Sequence, residues 1–136
     1  MAALPRQRTT RQRRAILDAV EQAHTHPSAE DVLRLVRKTL PKISLATVYR
    51  NLHVLATEGK LREVQFHNDV SRFDAITEPH EHFYCRSCRG VWDLDRSVAN
   101  QTLREVERSM KSTIEQYRLD YYGLCNVCSK KGSRAR

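Results

Sequence analysis

Two metal-ligand patterns stand end to end in the segment from His80 to Asp93: His80-x-His82, then Cys85-x-x-Cys88. A second C-x-x-C pair, Cys125 and Cys128, lies near the C-terminus, and the two pairs use all four cysteines of the chain. Four thiolates at this spacing can close a tetrahedral Zn²⁺ site without distorting either turn. Disulfides are the competing use, but they need an oxidising compartment, and nothing in the sequence points to one. The 36 residues between Cys88 and Cys125 exceed the ~15–20 of a simple zinc ribbon. A folded element, expected to be a helix, must lie between the knuckles, so that the metal staples the ends of a subdomain. His80 and His82 are two apart, and on an extended segment both imidazoles face the same way. With every cysteine engaged by zinc, the histidines are free to build a second site from nitrogen and carboxylate ligands.

Positioning these groups takes a fold that 136 residues can supply as one domain or two small ones. A small subdomain buries little apolar surface and often needs a metal to fold, which suits the two-domain option. The net charge is +8 and the pI about 9.7. Arg6, Arg8, Arg11, Arg13 and Arg14 fall within the first fourteen residues, with no acidic residue among them. Such asymmetry favours a nucleic-acid partner over a merely solvated basic surface. Met1-Ala2-Ala3-Leu4-Pro5 is followed by arginines rather than an apolar segment. No stretch approaches the ~20 apolar residues of a membrane span. A cytoplasmic protein with reduced cysteines and no membrane partner is expected.

Thr9 or Thr10 is expected to cap a first helix through about Gln22, with Ala15, Ile16, Ala19, Val20 and Ala23 on its apolar stripe. Its arginines lie mostly before that stripe, where Arg11 and Arg13 could reach phosphates. His24 to Ser28 breaks the helix, because Pro27 disfavours helical geometry at His26. Ser28 caps a second helix, with Asp31 three residues on completing a capping box. Ser44 caps a third, Leu45 to about Glu58, whose buried face is Leu45, Val48, Leu52 and Leu55 and whose stop is Gly59. Leu61–Phe66 and Ser71–Ala75 read as strands joined by a turn at His67-Asn68-Asp69. Three helices and a hairpin make a winged helix-turn-helix, in which the later helix enters the major groove. That helix would present Ser44, Thr47, Tyr49 and Arg50 to double-stranded DNA, with Arg50 able to fork onto guanine.

Thr77-Glu78-Pro79 reads as a hinge. Beyond it, strands at His82–Tyr84 and Val91–Leu94 precede a helix capped by Ser97 and running to about Thr113. Val98, Leu103, Val106, Met110 and Ile114 lie on one face of that helix, and Leu119–Gly123 is a last strand. The exposed sheet edge predicts pairing with a second copy. The expected class is α+β: a winged-helix DNA-binding domain over residues 1–76, a small α/β dimerisation domain stapled by a Cys₄ zinc site over 77–128, and a basic tail over 129–136. No phosphate-binding glycine loop is present, and no small-molecule substrate is expected.

Taken in order, Thr25-His26-Pro27-Ser28-Ala29-Glu30, Ala46-Thr47-Val48-Tyr49-Arg50-Asn51-Leu52, Ser71-Arg72-Phe73-Asp74, His80-Glu81-His82 and the paired C-x-x-C motifs make the chain resemble the ferric uptake regulator (Fur) superfamily over nearly its whole length. The resemblance implies a homodimeric, metal-dependent repressor on a palindromic operator. It makes the four cysteines ligands of one structural Zn²⁺ per subunit. It makes His26, Asp74, His80, His82 and Asp93 ligands of one regulatory Fe²⁺ or Mn²⁺ per subunit. Three imidazoles and two carboxylates, with no soft thiolate, suit those ions.

Within the superfamily, the chain is most similar to the peroxide-sensing (PerR-like) branch, which has Asp at the position of Asp93. That branch senses peroxide by iron-catalysed oxidation of ligands matching His26 and His80. The iron-uptake branch, the alternative, commonly has Glu there, and often a histidine where this chain has Tyr117. Zinc-sensing members usually bring a cysteine to the regulatory site, and none is spare; nickel sensing stays open. A zinc hydrolase or deaminase is a distant third reading. The deaminase pattern needs H-x-E and P-C-x-x-C, whereas Tyr84 precedes Cys85, and a Cys₄ zinc lacks the open position that catalysis requires.

Overall fold

The computed structural model describes residues 6–23, 26–67, 69–78, 80–94 and 99–132. The chain divides into two compact units, Met1–Thr77 and Glu78–Arg136.

The first unit opens with α1 (Arg6–Gln22). Thr9 and Thr10 therefore lie inside this helix rather than at its cap, a correction to the sequence expectation. The preceding Arg6-Gln7-Arg8 are good helix formers, and the weaker propensity of two threonines does not interrupt a helix that a buried face already holds. In α2 (Ala29–Val36), the Ser28 Oγ accepts from the Asp31 N–H while the Asp31 carboxylate accepts from the Ser28 N–H, the reciprocal pair expected. Ser44 likewise caps α3 (Leu45–Thr57) by accepting from the Thr47 N–H at 3.1 Å. At its far end Gly59 adopts φ +75°, and the N–H groups of Gly59 and Lys60 bond the carbonyls of Ala56 and Leu55. This pattern closes the helix only with a residue tolerant of the left-handed region.

Ile16, Val32, Val48, Leu52, Leu55 and Phe73 are all but inaccessible and form the centre of this unit's core. The wing is an antiparallel pair, β1 (Arg62–Val64) and β2 (Arg72–Asp74), shorter than expected at both strands. Asn68 of the expected turn lies outside the described residues. Leu52→Ala is expected to lower stability by about 2–5 kcal/mol, the usual cost of truncating a fully buried leucine, read as a shift in the denaturation midpoint.

In the second unit the central strand is β3 (Glu81–Cys85). It pairs antiparallel with β4 (Val91–Leu94) and parallel with β5 (Asp120–Gly123), giving the order β4-β3-β5. A parallel neighbour cannot follow by a hairpin and needs a crossover. Here the crossover contains α4 (Ala99–Met110), which accounts for the long interval between the cysteine pairs. The expected cap Ser97, and Val98, lie outside the described residues. The apolar face of α4 is not a core: Val106 is exposed and Met110 is 70% exposed. The expected basic tail is corrected at its start, because Ser129–Gly132 belong to a helix, α5 (Asn126–Gly132). The Cys125 Sγ accepts from the Cys128 N–H at 3.4 Å and the Cys125 carbonyl from the Ser129 N–H at 2.8 Å. The knuckle itself thus caps and nucleates this helix. Residues 133–136 lie outside the described residues. Among the described residues, no helix is long and apolar enough to cross a membrane.

Candidate metal centres and nucleic-acid face

Cys85 ends β3, Cys88 sits on the turn after it, Cys125 follows β5 and Cys128 lies in the first turn of α5. The four sulfurs all lie within 4.8 Å of one another, and none is in a disulfide. Cys88 Sγ and Cys125 Sγ are 3.9 Å apart. A tetrahedron with metal–sulfur bonds of ~2.3 Å has edges of about 3.8 Å, so the donor set fits Zn²⁺. The local electrostatics agree. Burial pushes the Cys85 thiol up, but N–H groups of Cys125, Cys88 and Ser87 and the Cys88 thiol outweigh it and lower its pKa to about 6. The neighbouring Cys125 sulfur, chiefly, pushes Cys128 up to about 11. Four sulfurs this close cannot all ionise unaided, and a dication removes that conflict.

The nitrogen and oxygen donors form a group in each unit. In the second, the Nε2 atoms of His80 and His82 converge on one atom, Asp93 Oδ1, at 3.2 and 3.5 Å. Ligands sharing one metal at ~2.1 Å lie about 3.0–3.4 Å apart, so these three fit a common ion of the kind that takes imidazole and carboxylate. The far nitrogens also lie beside oxygens. His80 Nδ1 is 2.8 Å from the Glu78 carbonyl, and His82 Nδ1 faces Asp120 Oδ1 at 3.3 Å. The sequence reading missed Asp120. Only the β3–β5 register, which sets His82 opposite Asp120, brings the two together, and no short-range pattern encodes that pairing.

In the first unit, His26 Nε2 and Asp74 Oδ2 are 3.1 Å apart, and both residues are buried. The other Asp74 oxygen accepts from the Ile76 N–H at 2.9 Å. Arg72, also missed, organises the pair: it donates to the His26 carbonyl at 3.2 Å and to Asp69 at 2.9 Å. The Phe73 N–H bonds the Pro27 carbonyl, fastening the loop before α2 to the wing.

On α3, Tyr49 and Arg50 are exposed, and Arg50 Nη2 donates to Thr47 Oγ1 at 3.2 Å. The Ser44 hydroxyl is engaged with Thr47 as the cap. Arg11 is exposed on α1. Arg13 differs from it: its Nε donates to the Asn51 Oδ1 at 3.1 Å, while Asn51 Nδ2 donates to the Thr47 carbonyl. Asn51, not among the residues expected on the buried face of α3, is buried and links the two helices.

The model of the ferric uptake regulator family matches residues 6–122. The peroxide-responsive repressor PerR of Staphylococcus aureus is 33% identical over 124 residues, which are 91% of this chain and 84% of that protein. Among solved structures, the peroxide stress regulator of Campylobacter jejuni aligns with a TM-score of 0.74 at 30% identity, over 89% of this chain and 91% of the other. The ferric uptake regulator of Vibrio cholerae aligns with a TM-score of 0.74 at 27% identity, over 92% of each chain. With a family match across most of its length and a relative this similar, the chain belongs to the ferric uptake regulator family.

Proposed function

We propose that this chain is a metal-dependent transcriptional repressor that senses hydrogen peroxide through oxidation of its regulatory-site histidines. The observation that carries the reading is the convergence of His80 and His82 on the shared oxygen of Asp93, an all-nitrogen-and-oxygen centre separate from the four cysteines. The similarity to peroxide-responsive regulators supports it. In this reading His26 and Asp74 complete the regulatory site with His80, His82 and Asp93, and the preferred ions are Fe²⁺ and Mn²⁺. The four cysteines hold one structural Zn²⁺ per subunit.

Bound Fe²⁺ supplies the one chemistry the residues lack, reduction of peroxide next to an imidazole. The chain does the rest. Asp93, 35% exposed at its side chain, leaves an approach for peroxide, and His26 and His80 present the ring carbons to be oxidised. An oxidised ring donates poorly, so the metal is lost and the DNA-binding form is no longer selected. The repressor acts as a homodimer on a palindrome, since Trp92, Leu94, Tyr121 and Tyr122 of the sheet are exposed and both sheet edges, β4 and β5, are open among the described residues. The similarity to a ferric uptake regulator favours a second reading, iron as co-repressor alone.

The DNA half of the proposal is tested by operator titration with Mn²⁺-loaded protein. Arg50→Ala is expected to cost about 1–3 kcal/mol and to relax sequence preference. Arg11→Ala should weaken binding to all sequences alike and reduce the slope of log K against log salt by about one. Unchanged affinity and preference in Arg50→Ala would show that α3 does not read bases.

A further inference from the structure

We infer that Asp120 is a positioning residue for the nitrogen–oxygen centre. It holds the His82 imidazole with the proton on Nδ1, which leaves the Nε2 lone pair facing Asp93 and the metal. The inference rests on the reading of His82 as a metal ligand.

His82 is 1% exposed, and its two ring nitrogens face two different carboxylates: Nε2 is 3.5 Å from Asp93 Oδ1 and Nδ1 is 3.3 Å from Asp120 Oδ1. A neutral imidazole has one proton to place, and its partners decide where it goes. Asp93 is the weaker claimant, because its side chain is 35% exposed and the same oxygen also meets His80. The Asp120 side chain is 8% exposed, its register opposite His82 is fixed by backbone pairing, and its second oxygen is held by Arg118 Nε at 2.5 Å. That guanidinium keeps the carboxylate aimed. At 3.3 Å the His82–Asp120 contact is an ion-pair approach rather than an aligned hydrogen bond. His80 meets the same need differently, with Nδ1 at the Glu78 carbonyl. Each histidine of the pair thus has its far nitrogen beside an oxygen and its near nitrogen toward Asp93, the arrangement by which outer partners fix ring orientation and raise ligand basicity.

The test uses the full-length, zinc-loaded protein without regulatory metal. Nitrogen-15 NMR of the imidazoles should show His82 protonated on Nδ1, and protonation on Nε2 in the wild-type protein overturns the inference. Mn²⁺ affinity is then measured by competition with a chelator of known affinity. Asp120→Ala should weaken Mn²⁺ binding by about 10–100-fold and scramble the His82 tautomer while zinc content stays at one per chain. Asp120→Asn, which keeps an acceptor oxygen, should recover most of both. A merely structural role for Asp120 would disturb zinc content and melting but leave the tautomer alone, and that outcome counts against the proposal. His82→Ala separates the layers. If it binds Mn²⁺ like the wild type, the ligand reading itself is wrong. If it loses Mn²⁺ while Asp120→Ala retains it, only the role of Asp120 falls. Should Asp120→Ala fail to fold, the wild-type tautomer and the Asn variant decide.

Discussion

A Cys88→Ser protein is expected to carry no zinc and to lose the cooperative melting of residues 78–132. The reason lies in how little else holds that unit together. Its buried apolar side chains among the described residues are Tyr84, Cys85 and Val91, alongside the polar Glu81 and His82, while the outer face of α4 is open. The cysteines bring the end of β3 to the segment after β5 and to α5, so one ion bound there would close the sheet and hold the sulfur that caps a helix. Zinc binding contributes roughly 10–16 kcal/mol to the folding of small zinc peptides near neutral pH, far more than a core of this size can replace. The first unit has its own core around Leu52 and Phe73, so it should keep a transition of its own. Metal analysis with calorimetry reads both effects. A zinc-free Cys88→Ser protein that still shows two cooperative transitions would contradict a structural role for the metal.

What was legible in the chain divides along the range of the interactions involved. Ser28 with Asp31, Ser44 with Thr47, and Gly59 act within a few residues of where they stand, and each element boundary they signal lies where the spacing indicates. The cysteine pairs are similar, because each knuckle is a local turn. Thr9 and Thr10 misled because they are acceptable caps whose signal was outweighed by helix formers before them. The α5 helix escaped notice because its cap is a cysteine sulfur, a group read as a metal ligand and not as a helix start. Asn51 and Asp120 were missed for a different reason. Their partners, Arg13 and His82, are 38 residues away in both cases and meet them only through helix packing and strand register. Second contacts that aim a ligand are therefore the part of a metal centre least visible in sequence.

The other large effect expected is an all-or-none difference between two metal forms of the same protein. With Fe²⁺ in the nitrogen–oxygen centre, peroxide should add one oxygen atom to peptides containing His26 or His80 and abolish operator binding. With Mn²⁺, which does not readily reduce peroxide at such a site, neither change should occur. Geometry favours His80 as a target, since its Nε2 lies 3.2 Å from Asp93 Oδ1 beside the partly open carboxylate. His26 is paired with Asp74 at 3.1 Å in the first unit. Asp93→Glu lengthens the carboxylate arm by one methylene. It should keep metal-dependent DNA binding while blunting the response to peroxide, because a longer arm alters how the metal is held and how open its approach is.

The measurement that bears most directly on peroxide sensing is peptide mass spectrometry in parallel with operator binding, on Fe²⁺- and Mn²⁺-loaded protein before and after micromolar peroxide. The account predicts that, in the iron form alone, oxygen incorporation at His26 or His80 rises in step with loss of DNA binding. An iron form that releases DNA with both histidines intact would contradict the oxidation mechanism, and one that stays bound to DNA with unmodified histidines would leave iron as co-repressor and peroxide as no signal at all.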